Sequence, residues 1–165
     1  MVCACSINLL KITTSRNVAS VQFYHLTTTP LERALPKLLE RAISGGYKVL
    51  LAVESDERGE QLNQLLWTYD PGSFLAHGSD KEAQAEQQPI LISTNTEPMN
   101  AANLLVVTDG RSVKGSGFER ILDVFDGNDG EMTRAARTRW TQYKDIGHEL
   151  TYFSQNEQGG WQKKA

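Results

Sequence analysis

The 165-residue sequence has only two cysteines, and both lie within its first five residues. The remainder of the chain therefore offers neither a disulfide bond nor a thiolate ligand, which is typical of proteins from a reducing compartment. A metal site at Cys3 and Cys5 is not expected, because the three histidines that would have to complete it are scattered along the sequence. We therefore expect no metal or other cofactor, and a cytoplasmic location.

Long apolar runs are also missing. No stretch approaches the roughly 20 residues that a membrane-spanning helix needs, so we expect no contact with membranes. The first 20 residues contain one short apolar segment, and the charges of Lys11 and Arg16 follow it, which is the reverse of the order in a signal peptide. We expect residues 1–20 to be a disordered extension, or to result from a translation start placed too early in the sequence. Residues 21–165 are expected to form one domain.

Strong charge of either sign is lacking too, since the formal net charge is −3 and the isoelectric point is near 5.6. A chain with this balance has no overall attraction to nucleic acid or to an anionic membrane. Binding through charge would therefore require a local patch of cations.

The fold is predicted from a change of period within residues 47–67. Val49–Val53 is continuously apolar, which indicates a strand covered on both faces, and Leu62, Leu65 and Leu66 then recur at helical spacing after the capping residue Ser55. Other apolar segments predict further strands at 21–26, 90–93, 104–107, 119–125 and 149–154. One further helix is predicted to begin at Pro30, with Thr29 as its cap, and to end at Gly45. Another helix is predicted over 131–146. Residues 68–88 are predicted to be an exposed loop and 155–165 a tail. This order predicts an α/β fold, a three-layer sandwich with a largely parallel sheet.

Features of a nucleotide site are weak. The turn after the second strand, residues 54–57, carries three carboxylates, which repel phosphate. Gly110–Ser116 follows a strand as a phosphate-binding loop would, but its lysine precedes the second glycine, and a strand is predicted after it where a helix should begin. Four aspartates, Asp109, Asp123, Asp126 and Asp129, suggest a divalent-metal or acid/base site, although helix capping and turns explain them equally well.

The last predicted helix concentrates cations and large aromatic side chains. Arg137, Trp140 and Lys144 share one face by their three- and four-residue spacing, with Arg134, Arg139 and Tyr143 nearby. An amphipathic helix that buries Trp140 and exposes its arginines would account for this composition. The functional interpretation is a site in which a guanidinium binds a carboxylate or phosphate beside an apolar pocket.

Seven segments, in order, carry a family resemblance: FYHL, LLWTYDPGSFLAHG, LLVVTDG, FDGNDGE, ARTRW, GHELTYF and GGWQKK. Together they resemble the chi subunit of the bacterial DNA polymerase III holoenzyme over residues 21–165. The resemblance implies a nucleotide-binding-like fold without a phosphate loop, no enzymatic activity, and an adaptor role. In that family, chi binds the acidic C-terminal tail of single-stranded-DNA-binding protein and joins the clamp loader through a partner called psi, so its contact with nucleic acid is indirect.

Residue roles follow from the same resemblance. It implies that Arg137 is the tail-binding arginine and that Trp140 is the aromatic residue one turn later, a tyrosine in better-known members. The tryptophan that ends the second helix falls on Trp67, which we include in the expected tail site, and Phe74 falls on the psi-facing surface.

The sequence departs from the family pattern at Thr133 and Thr141, where the better-known members carry lysines. Fewer cations would then surround the pocket, and the residues expected to compensate are Arg134, Arg139 and Lys144. Two other functions stay open from the residues alone. One is a nucleotide-dependent enzyme, or a degenerate relative of one, and the other is direct binding of single-stranded nucleic acid by the last helix.

Overall fold

The computed structural model describes residues 18–113 and 117–165. Within these ranges the elements are β1 (Ser20–Leu26), α1 (Leu31–Ser44), β2 (Val49–Ala52), α2 (Asp56–Thr68), β3 (His77–Ser79), β4 (Ile90–Ser93), β5 (Leu104–Val107), β6 (Arg120–Asp126), α3 (Gly130–Ile146), β7 (Glu149–Gln155) and β8 (Trp161–Lys163). A short 3-10 helix, Ala85–Gln87, precedes β4.

The strands form one sheet in the order β3-β4-β2-β5-β6-β1-β7-β8. Every neighbouring pair is parallel except β7 and β8, which are antiparallel. Strands β2, β4 and β5 are buried along their whole length, as their continuous apolar runs predict. The α/β fold with a largely parallel sheet is confirmed.

The helices cover the sheet from both sides and complete three layers. Side chains of α1 and α2, such as Leu35 and Leu62, pack with one set of alternating strand residues. Ala136 and Tyr143 of α3 pack with the other set, which includes Phe23. This division follows from the pleat of the strands, which sends successive side chains to opposite faces. The two faces therefore carry different surfaces.

None of the described helices is long and apolar enough to cross a membrane.

Several predicted boundaries need correction. Strand β1 begins at Ser20, and the Ala19 side chain is fully buried, with its amide donating to His148 Nδ1 at 3.0 Å. The first strand therefore begins one residue before the predicted start at residue 21, while the expected disorder of residues 1–17 falls outside the described ranges. Helix α1 begins one residue later than predicted, because Pro30 occupies the capping position and no side chain caps the helix.

The predicted loop and tail also contain sheet structure. Strand β3 lies inside residues 68–88 and pairs with β4, and both Leu75 and His77 are buried. Strand β8 lies inside residues 155–165 and pairs with β7, so that Trp161 packs edge-on against Tyr24. Short strands of this kind depend on a partner at the sheet edge, which their own sequence does not reveal.

Candidate functional site

An apolar pocket lies between α3 and the sheet. Its volume is about 440 Å³, and we call it the Arg137 pocket; its lining is Phe23, Phe125, Thr133, Ala136, Arg137, Trp140, Thr141, Tyr152 and Ala165. The indole of Trp140 packs against Phe23, with ring centroids 5.3 Å apart, and against Tyr152 at 6.0 Å. Aromatic walls with one cation suit a ligand that has an apolar body and an anionic group.

The strand register builds the wall of this pocket. Phe23 of β1 and Tyr152 of β7 are directly paired neighbours, so their side chains leave the sheet on the same face. Two residues further along β1, His25 is hydrogen-bonded to the Tyr152 hydroxyl and stacks on Phe125. Sequence reasoning missed these wall residues, because the alternation in the VQFYHL and ELTYFS segments does not show which face carries a helix.

Arg137 supplies the positive charge. Its side chain is exposed and forms no ion pair with the described part of the chain. Its charge nevertheless reaches the pocket wall. Burial raises the pKa of Tyr152, and the charge of Arg137 opposes that rise. Burial lowers the pKa of His25, and Arg137 lowers it further. Both shifts favour the neutral forms of these two side chains, and Arg137 is the one lysine or arginine among the described residues that line the pocket.

Local capping fixes where helix α3 begins and ends. The Asp129 carboxylate accepts hydrogen bonds from the amides of Glu131 and Met132, and Gly147, at φ +97°, ends the helix in a left-handed conformation. The capping role of Asp129 and the stop at Gly147 confirm what the sequence predicts. The rotational setting of the helix then places Thr133, Arg137 and Thr141 toward the pocket.

The other predicted cations divide into two groups. Arg134 and Lys144 are exposed on the same broad face of α3 as Arg137, but they do not line the pocket. Arg139 is 3% exposed and points the other way, forming a two-point ion pair with Asp123. The expectation that Arg139 compensates for missing cations at the pocket is therefore wrong. At about 100° of turn per residue, two positions along the helix separate Arg139 from Arg137 by about 200°.

Trp67 and Phe74 form a separate exposed pair. Trp67 is at the end of α2, on the opposite face of the sheet from α3, so the structure does not bring it to the Arg137 pocket. Its indole lies 6.0 Å from the Phe74 ring and 4.7 Å from the His77 ring. Phe74 is 72% exposed and Trp67 is 57% exposed, so the two make an apolar patch of their own.

The carboxyl ends of the strands, where a nucleotide would lie in related folds, are occupied by an arginine. Arg111 donates to the backbone carbonyls of Val53, at 2.7 Å, and Thr94, at 3.1 Å. Two amides of the following loop are already bonded internally: that of Arg111 to Asp109 and that of Val113 to Tyr143. These amides are not free to cradle a phosphate. Residues 114–116 of this loop lie outside the described ranges.

The four aspartates do not meet in one site. Asp123 pairs with Arg139, Asp109 with Arg111, and Asp129 caps α3. Asp126 accepts from the Asn128 amide in the turn that follows β6. No group of three or more metal-ligating side chains occurs among the described residues. Each aspartate therefore has a structural role within the ranges that the structure describes.

Comparison with known proteins gives a consistent family. The family model described as DNA polymerase III chi subunit, HolC, matches residues 18–151. A probable DNA polymerase III subunit chi from Rickettsia prowazekii (strain Madrid E) is 25% identical over 150 residues, covering 86% of this chain and 90% of that protein. The DNA polymerase III subunit chi of Haemophilus influenzae (strain ATCC 51907 / DSM 11121 / KW20 / Rd) is 29% identical over 137 residues, covering 80% and 94%.

Among solved structures, the C-terminal domain of Dbp5 from S. cerevisiae aligns with a TM-score of 0.49 at 14% identity, covering 81% of this chain and 90% of that chain. This likeness is too distant to support a functional comparison. The family model, by contrast, extends from the residues before β1 into β7 and so includes most of the Arg137 pocket. The chain therefore belongs to the family of DNA polymerase III chi subunits.

Proposed function

We propose that this protein is a non-catalytic accessory subunit of the bacterial DNA polymerase III clamp-loader assembly that binds the acidic C-terminal tail of single-stranded-DNA-binding protein. The observation that carries the proposal is the Arg137 pocket: an apolar, aromatic-walled cavity with one exposed cation at its rim. A tail that ends in an apolar residue presents a free carboxylate beside a hydrophobic side chain. The pocket offers a partner to each of these groups.

The two parts of the pocket play different roles in this proposal. The side chain of the last tail residue would displace water from between Trp140, Phe23 and Tyr152, and this burial of apolar surface is favourable. The terminal carboxylate would accept a charge-assisted hydrogen bond from the Arg137 guanidinium. Acidic residues further along the tail would then pass the exposed cations Arg134 and Lys144, whose attraction is screened by salt.

The Trp67 and Phe74 patch fits the second contact of such an adaptor. Large exposed aromatic side chains are uncommon on monomeric proteins and are enriched where partners dock. We assign this patch to a psi-like partner subunit of the clamp loader. Because it lies on the other face of the sheet from the Arg137 pocket, both partners would bind at the same time.

The test of the tail site is a calorimetric titration with an acidic peptide that ends in an aromatic residue. Replacing Arg137 by Ala removes a hydrogen bond to a charged group, worth about 1.5–3 kcal/mol, so affinity should fall about ten- to a hundredfold. The matched control is Arg33→Ala, an exposed arginine of α1 on the other side of the sheet. A folded Arg137→Ala protein that binds the peptide as tightly as the unsubstituted chain would overturn the proposal.

Three further ligands make the titration specific. The first is the same peptide with an amidated C-terminus, which lacks the terminal carboxylate. Its affinity for the unsubstituted protein should be as low as the affinity of the free-acid peptide for Arg137→Ala, because either change removes the same hydrogen bond. ATP with magnesium and a single-stranded oligonucleotide should give no heat. Saturable binding of either would favour the nucleotide-dependent or the nucleic-acid-binding alternative.

A further inference from the structure

A second pocket lies on the face of the sheet that α1 and α2 cover, away from the Arg137 pocket. Its volume is about 230 Å³, and we call it the Arg120 pocket after the first residue of β6. Arg41, from the last turn of α1, also lines it. Leu38, Leu104 and Leu122 belong to the core beneath it. None of the described residues that line this pocket belongs to the predicted tail site or to the Trp67 and Phe74 patch.

Arg120 has an incomplete set of hydrogen bonds. Its Nε atom is buried and has no hydrogen-bond partner among the described residues. Neither Arg120 nor Arg41 forms an ion pair within those ranges. A buried donor of a charged group is costly to leave without an acceptor, and buried polar atoms in native proteins are nearly always hydrogen-bonded. Within the described part of the chain, Arg120 Nε is therefore left without an acceptor, and no carboxylate side chain lines the pocket to offset the two arginines.

The surroundings hold this guanidinium in place. The guanidinium carbon lies over the Tyr47 ring, 4.9 Å from the ring centroid, and this cation–π contact helps to hold the guanidinium. The side-chain oxygen Oε1 of Gln22 accepts from the Tyr24 hydroxyl at 3.0 Å, which leaves the side-chain amide nitrogen of this lining residue as a donor. The Arg120 pocket thus presents two guanidinium groups and one amide, and no carboxylate lines it.

The electrostatics agree with this geometry. Burial raises the pKa of the Tyr24 hydroxyl, and the charges of Arg41 and Arg120 both oppose that rise. Arg41 also lies in the last turn of α1, where a cation interacts favourably with the helix dipole. That interaction explains the position of Arg41, but it leaves the buried Arg120 Nε atom without an acceptor.

We propose that the Arg120 pocket binds a small oxyanion, the phosphate or carboxylate group of a small molecule. Oxygens of the anion accept from the guanidinium groups of Arg120 and Arg41 and from the side-chain amide of Gln22, three residues that line the pocket. Arginine suits this task, because its planar fork matches the oxygen spacing of both groups. The pocket volume of about 230 Å³ leaves room for the anionic group.

The experiment is an NMR titration that follows the Arg120 Nε–H signal, with sodium phosphate in one arm and sodium acetate in the other. Sodium chloride keeps the ionic strength constant in both arms. We expect phosphate to shift the Arg120 Nε–H and Tyr47 ring signals with saturation. Matching saturation by acetate would indicate a carboxylate ligand as well, whereas a response to phosphate alone would indicate a phosphate ligand.

Substitutions then test the site. Arg120→Gln should weaken phosphate binding by about tenfold or more, and Arg41→Gln by a smaller factor, because each removes a charged donor. Arg33→Gln, on the same helix as Arg41 but outside the pocket, should have no effect, and neither should Arg137→Ala.

If phosphate does not shift the Arg120 Nε–H signal, or shifts it without saturation, the proposal is overturned and a bound water is left as the acceptor. Equal phosphate affinity of Arg120→Gln and the original chain would overturn it as well. If Arg120→Gln does not fold, the Arg120 Nε–H signal of the unsubstituted chain and the Arg41→Gln titration decide whether the pocket binds the anion. Because the readout is local to Arg120, the result does not depend on whether the Arg137 pocket binds a tail.

Discussion

Arg139 and Asp123 form a buried two-point ion pair between helix α3 and the sheet. Arg139 Nε lies 2.6 Å from Asp123 Oδ2, and a terminal nitrogen lies 2.9 Å from Oδ1. The other terminal nitrogen donates to the Gly110 carbonyl at 2.8 Å. One arginine of α3 thereby ties the helix to the centre of β6 and to the loop after β5. Burial raises the pKa of Asp123, and the guanidinium of Arg139 opposes that rise.

Removing one member of this pair should be strongly destabilising. Arg139→Ala or Asp123→Ala leaves the other charge buried without a partner, which costs about 3–5 kcal/mol. Urea unfolding measures the loss. Arg134→Ala, an exposed arginine of the same helix, should change the free energy of unfolding by no more than about 0.5 kcal/mol. Equal losses for Arg139→Ala and Arg134→Ala would contradict the buried role of Arg139.

The aromatic patch should be separable from the Arg137 pocket. Trp67→Ala with Phe74→Ala should abolish binding of a psi-like partner and leave the affinity for the tail peptide unchanged, because the two surfaces lie on opposite faces of the sheet. Parallel pull-down and calorimetric measurements would show this. Arg137→Ala is the matched control and should give the reverse pattern. A loss of tail affinity in the aromatic double variant would restore Trp67 to the tail site.

Stability should fall as the pH is lowered from about 6.5. Burial lowers the pKa of His148 and is the largest cause of the lowered pKa of His25. His148 Nδ1 accepts the Ala19 amide hydrogen bond, which requires a neutral ring. The unfolded chain therefore takes up protons first, near the ordinary histidine pKa of about 6.5. The stabilisation is fully present above that pH and is lost as the pH falls through the lower folded-state values.

Chemical denaturation at a series of pH values would measure this effect above the range in which carboxylates titrate. His148→Gln, whose amide oxygen can still accept from Ala19, should reduce the dependence on pH in that window. A stability that stays flat in the original chain from neutral pH to about 5 would contradict the buried, neutral state of the two histidines.

The sequence by itself determined the main elements of this fold. Continuous apolar runs such as 104–107 indicated buried strands, since only a strand covered on both faces is apolar at every position. Ser55 and Gly147 marked helix ends through local hydrogen bonding and backbone conformation, which depend on few neighbours: the Ser55 hydroxyl does accept from the Arg58 amide. The position of Arg137 and Trp140 beside each other followed from helical spacing alone.

Tertiary structure alone decided which side chains share a site. Arg137 and Arg139 look equivalent in the sequence, yet one is exposed and the other buried, because the rotation of α3 against the sheet is set by packing of Ala136 and Tyr143. Trp67 was separated from Arg137 by the crossover that placed α2 on the opposite face. The pocket wall of Phe23 and Tyr152 came from pairing of two strands more than a hundred residues apart. Such long-range pairing leaves no local signal, because it depends on which strand edges are free after the rest of the chain has packed.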